Sequence, residues 1–173
     1  FPWSDPVENA HLQRIDIFSA ETAFLLAETL YLLRNEIDDM IAGRIRQRIE
    51  SRTLGQYFDM GKRQPWENAG NNWTIICAAS CGMAAMYLLK DNDRLTYAVS
   101  RVLQSIASYI SGFNSDGVRP EGVDYWQEGM ALFFYFAHLL KERTAGNIDI
   151  VELFGRGSSQ GIIDKIIRFP LGF

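Results

Sequence analysis

Asn71-Asn72-Trp73-Thr74-Ile75-Ile76-Cys77-Ala78-Ala79-Ser80-Cys81-Gly82-Met83-Ala84-Ala85-Met86-Tyr87-Leu88-Leu89 is the stretch that decides this fold. It has no charge and is apolar nearly all round, which marks a helix with partners on several sides rather than a surface helix. Ala78, Ala79, Ser80, Gly82, Ala84 and Ala85 let those partners come close. A buried inner helix over 72–89 is expected. Cys77 and Cys81 stand four apart on it, not at redox or zinc spacing. A crosslink between adjacent turns would close almost no loop, so both read as small core residues.

The segments on either side repeat the helical period with little strand-like alternation. A first helix is expected over 19–33, capped by Ser19, with Glu21 in its first turn and Phe24, Leu25, Tyr31 and Leu32 at helical spacing. A second runs over 36–52, with Ile37, Met40, Ile41, Ile45 and Ile49 on one stripe and Arg44, Arg46 and Arg48 facing solvent. Residues 54–70, with Gly55, Gly61, Pro65 and Gly70, read as a long connection. A fourth helix covers 94–111, after Asp91-Asn92-Asp93. A loop spans 113–123, and a fifth helix starts at Tyr125 or Trp126 and reaches Arg143. Two short helices, over 150–154 and 159–167, complete the chain. The fold class is all-α: antiparallel helical hairpins with the more apolar helices inside, forming part of an incomplete α/α toroid.

At 173 residues, 47% hydrophobic and 22% charged, the chain fits one domain with a real core. A net charge of -4 argues against a nucleic-acid partner. No apolar run is long enough to span a membrane. The ends, Phe1-Pro2-Trp3 and Phe169-Pro170-Leu171-Gly172-Phe173, read as cuts through something longer. The compartment stays open, a periplasmic or secreted one being favoured over a cytoplasmic one. Half a toroid leaves apolar surface, so the remainder of a parent chain or a second copy is expected as a partner.

Chemistry-bearing residues gather at helix entrances. Asn71-Asn72-Trp73 holds two amides where one suffices for a cap. Asp116-Gly117 and Arg119-Pro120-Glu121-Gly122 form a turn by composition. There Glu121 can satisfy backbone N–H groups or hold Arg119. Tyr125-Trp126 follows, putting a phenol at the rim. Trp66, Trp73 and Trp126 either stack on sugar rings or close the core, with the core favoured for Trp66. Lys62, Arg63 and Arg119 are cations that can meet an anionic sugar. His138 reads as a core or helix-end residue, and with His11 it forms no metal-ligand spacing. No metal or cofactor is expected.

Together these residues resemble the heparinase II/III-like polysaccharide lyases, which include oligoalginate lyases. The match runs from Asp16-Ile17-Phe18 and Ala20-Glu21-Thr22 through Arg44, Arg48, Tyr57 and Trp66 to Asn71-Asn72-Trp73, Asp116-Gly117, Glu121-Gly122 and Tyr125-Trp126. The resemblance implies an α/α toroid followed by a β-sandwich, so the chain would be the helical part of a longer lyase. It implies an anionic polysaccharide or oligosaccharide as substrate, cleaved by β-elimination at a uronic acid. Asn71 would neutralise the uronate carboxylate, with Asn72 as the cap, and donors there stabilise enolate-like charge. Tyr125 would act as base and acid. Its ordinary pKa of about 10 must fall for it to serve as a base, and Arg119 is the cation nearest in sequence. Asn72, Trp73, Glu121, Arg119 and Trp126 would bind substrate. The family also uses a histidine, and none lies in the Asn71 motif.

Two other readings share the residues. A glycoside hydrolase on an α/α barrel needs two carboxylates across a cleft, and Asp116, Glu121, Asp124 and Glu128 all come from one short segment. A non-catalytic carbohydrate-binding helical domain would bind sugar without turnover.

Overall fold

The computed structural model describes residues 14–59, 63–156 and 161–172. His11, Lys62 and Ser159 lie outside them. The described residues form seven α-helices and no strand, which makes the fold all-α.

Helix α3 (Asn72–Leu88) is the centre, packed by α1 (Ile17–Leu32), α4 (Asn92–Ser111) and α5 (Val123–Arg143). Fourteen of its residues are buried, so the reading of an inner helix holds. The small residues explain the closeness. A methyl group on Gly82 would stand 2.6 Å from the Phe136 ring of α5 and 3.0 Å from Val102 of α4. Cys77 and Cys81 are free thiols in this core, and burial pushes both well above the ordinary thiol range.

Helix α1 starts earlier than expected. Asp16, not Ser19, is the cap, its Oδ1 accepting from the Ser19 N–H at 2.7 Å. Its buried stripe is also different: Ala20, Ala23, Ala27 and Leu30 face the core, while Leu25, Tyr31 and Leu32 are exposed. Short side chains at the α1–α3 seam let the two backbones approach, which turns the large residues outward.

Helix α2 (Asp39–Ile49) is capped by Asp38, whose Oδ1 accepts from Met40 and Ile41 at 3.0 and 3.3 Å. Arg44, Arg46 and Arg48 face solvent as expected, but so do Met40 and Ile41 of the expected apolar stripe. The helix does not end at 52. It widens into a π-helical segment, Glu50–Asp59, through the region expected to be a loop. Thr53, Leu54, Tyr57 and Phe58 are buried there. Burying Leu54, Tyr57 and Phe58, at about 1.5–3 kcal/mol for a large side chain, outweighs the roughly 1 kcal/mol that Gly55 costs a helix.

The short connection 89–91 joins α3 to α4, and the long one 112–122 joins α4 to α5. Helices α6 (Ile150–Arg156) and α7 (Ile162–Arg168) follow, the latter ending in a 3-10 turn, Phe169–Gly172. His138 is not a core residue. It is exposed on α5, 3.5 Å from Glu142 one turn on.

Candidate functional site

Helices α1, α3 and α5 run parallel, with their N-termini at one end. The start of α3 meets the start of α5 where Asn72 Nδ2 donates to Glu128 at 2.9 Å and the Asn72 N–H to Glu121 at 3.4 Å. Glu21 in α1 feels the charge of Glu128. At the opposite end Tyr31 of α1 packs on Tyr87 of α3, with ring centres 5.2 Å apart. Three parallel helix N-termini add partial positive charge at the shared end.

The cap of α3 is not the expected asparagine. Asn71 is the cap of α3, its Oδ1 accepting from the Thr74 N–H at 3.3 Å and facing the Thr74 hydroxyl at 3.4 Å. Capping occupies only the oxygen. Asn71 is half-buried, and its Nδ2 donates to nothing among the described residues. Asn72, one position on and so about 100° around the helix, is 3% exposed and ties α3 to α5.

Arg119 is 5% exposed and does not reach out to a ligand. Its guanidinium lies over the rings of Tyr109 and Phe113 at 4.4 and 4.6 Å and donates to the carbonyls of Gly70 and Tyr109. Its Nε is 3.5 Å from Glu121. It is a clamp across the ends of α3, α4 and α5, and the phenol it faces is Tyr109, not Tyr125. Glu121 does both things expected of it, holding Arg119 and accepting a backbone N–H of α3.

Tyr125, in the first turn of α5, is 55% exposed, and Trp73 is 46% exposed. Trp126 packs against the core and donates to the Ile166 carbonyl at 2.9 Å. Trp66 is buried and donates to the Ile15 carbonyl at 2.7 Å. Of the three candidate sugar platforms, Trp73 offers the open face. Asp116 lies on the exposed part of the 112–122 loop.

Two features were hidden from the sequence reading. The first is the carboxylate pair Glu21 and Glu128, from separate helices. Burial and then the Glu128 charge raise the Glu21 pKa above its ordinary 4.5. The folded state therefore favours protonated Glu21. That preference is satisfied below pH 4.5 and becomes a penalty as pH rises through the folded pKa. Glu21→Gln, a mimic of the protonated form, is expected to raise the melting temperature at neutral pH and to give no gain below pH 4.5. Melts of both proteins at the two pH values check this.

The second is a buried polar pocket around Gly129. The Asn72 Oδ1 and the Tyr109 hydroxyl both lack a hydrogen-bond partner among the described residues, and both crowd the face of Gly129 where a side chain would begin. Burial pushes the Tyr109 phenol up to about 12, against the pull of Arg119. Ala normally stabilises a helix by about 1 kcal/mol over Gly. Here Gly129→Ala is expected to destabilise by about 1–3 kcal/mol through overpacking. Tyr109→Phe, which removes one of the crowded oxygens, should recover part of that loss in urea titrations of the double variant.

Compared with known proteins, the chain matches no protein-family model and no curated protein.

Proposed function

We propose that the protein is a polysaccharide lyase acting on a uronic-acid-containing polymer, with its reaction centre at the shared end of α1, α3 and α5. The observation that carries this reading is that an exposed phenol, Tyr125, and a free amide donor, Asn71 Nδ2, stand at two helix starts that meet. Asn71 and the α3 N-terminus donate to the uronate carboxylate, which makes the C5 proton acidic. The Tyr125 phenolate takes that proton, the C4–O4 bond breaks, and the phenol returns the proton to O4 of the leaving sugar. The product carries a C4–C5 double bond. Trp73 supplies a stacking face. Glu128, Asn72, Glu121 and Arg119 hold the two helix starts in register. As part of this reading, the helices are a segment of an α/α toroid.

A second reading has its own support. Glu21, whose pKa is raised by burial and by the Glu128 charge, and Glu128, held by Asn72, are two carboxyl groups from separate helices, and a glycoside hydrolase uses such a pair as acid and base. Incubation with alginate, heparan-type and neutral polymers separates the readings. Near-ultraviolet absorbance of an unsaturated product supports the lyase. New reducing ends without absorbance point to the hydrolase, and binding without either to a carbohydrate-binding domain.

A further inference from the structure

The reaction centre proposed above is poor in available positive charge: Arg119 is committed, and Glu21, Glu121 and Glu128 stand close by. A polyanion needs cations elsewhere. Cations without a carboxylate partner cluster on α2 and its extension, where Arg44, Arg46, Arg48 and Arg52 fall within nine positions and all are exposed. No carboxylate pairs with any of the four among the described residues. Glu50, the one acid among them in sequence, is taken by Arg94 at 2.5 Å.

Arg44, Arg48 and Arg52 line concave surface. Arg44, Gln47, Arg48 and Ser51 share one helical face and enclose a cleft of about 440 Å³. A second cleft, of about 210 Å³, continues from Arg48 to Arg52 and is walled by Phe18, Ser19, Thr22 and Leu26 of α1. The Phe18 ring is 78% exposed. Because the end of α2 thus meets the start of α1, the strip begins on the flank of the helix start that carries Glu21 and recedes from it. Arg44 and Arg48 stand about 6 Å apart along the axis, comparable to the length of one pyranose residue in a linear glycan. Planar cations at sugar spacing, hydroxyl and amide donors between them, and an exposed aromatic ring suit a carboxylated sugar chain.

We propose that this strip on α2 and α1 is a second binding site for a linear uronate glycan, holding the polymer beyond the reaction centre. The site shares with the lyase reading only the class of ligand, not the chemistry at Tyr125.

The test measures binding of a long alginate oligomer to the protein and to its R44Q/R48Q variant, with a neutral glucan, a single-stranded oligonucleotide and phosphatidylserine vesicles as comparison probes. Both substituted side chains are exposed and unpaired, and circular dichroism checks the fold. Alginate affinity is expected to fall about tenfold or more in the variant, with a flatter dependence on salt, and Phe18→Ala should weaken binding without changing the salt dependence. Equal alginate affinity in both proteins overturns the proposal, as does an absence of alginate binding. Arginine-dependent binding of the oligonucleotide or vesicles without alginate reassigns the strip to nucleic acid or membrane. The lyase assay is scored separately on a short uronate oligomer. Unsaturated product with unchanged alginate binding sinks the strip alone. Lost binding in the variant with no product from wild type sinks the lyase reading alone.

Discussion

Tyr125→Phe is expected to lower release of unsaturated uronate by about 10²–10⁴-fold, the usual worth of a positioned acid–base group, while leaving oligomer binding and the melting temperature nearly unchanged. The substitution removes one oxygen from a side chain that is 55% exposed, and exposed changes of this kind stay within about 0.5 kcal/mol. A large kinetic loss therefore cannot come from unfolding. Asn71→Ala differs in kind. It removes both the cap of α3 and the free amide, so it should lower activity and stability together. Asn71→Asp separates the two: the carboxylate can still cap, yet it repels a uronate, so activity falls with the fold intact. Full activity in Tyr125→Phe, measured by absorbance of the product, would remove Tyr125 from the mechanism.

The fold was legible where the pattern was extreme. An uncharged 19-residue run dictates a buried helix whatever its neighbours, and α3 is that helix. The face of α1 was not legible, because hydrophobic size and burial part company when Ala20, Ala23 and Ala27 fill a close seam. Gly55 signalled a loop, but a glycine cannot outvote Leu54, Tyr57 and Phe58 when all three find a core.

At the candidate site, residue types were legible and roles were not. Two adjacent asparagines are equal capping candidates, and a single step around the helix decides which becomes the cap and which is buried. Arg119 stands near Tyr125 in sequence, yet the turn folds it back onto Tyr109 and Phe113 of the preceding helix and loop. Glu21 and Glu128 are brought together only by the parallel packing of α1 and α5 around α3. No local spacing could reveal that pair.

The largest stability effect is expected at Glu67, beneath the start of α3. Glu67 is fully buried and Arg101 is 3% exposed. Arg101 Nη2 and Nε donate to the two carboxylate oxygens at 2.7 and 3.0 Å. Arg63 Nη1 adds a contact at 2.9 Å and the Gln64 N–H one at 2.5 Å. Arg101 also lies over the Tyr57 ring at 4.7 Å. Such a carboxylate gains its value from having every partner in place. Glu67→Leu leaves Arg101 buried without the carboxylate that grips it in two places, at a cost of about 3–5 kcal/mol, or about 10 °C in melting temperature for a chain of this size. Arg101→Met alone should cost less, because Glu67 keeps Arg63 and the Gln64 N–H. The double variant, Glu67→Leu with Arg101→Met, should lose far less, because no uncompensated charge remains. The segment that Glu67 holds also feeds the site. Thr74 Oγ1 donates to the Trp66 carbonyl at 2.6 Å, and Arg119 donates to the Gly70 carbonyl. Loosening 63–70 therefore displaces Asn71 before the core melts, so either single variant should lose activity below its own melting temperature. Additive losses in the double variant, measured by denaturant titration, would show that the pair acts as separate contacts and not as one buried network.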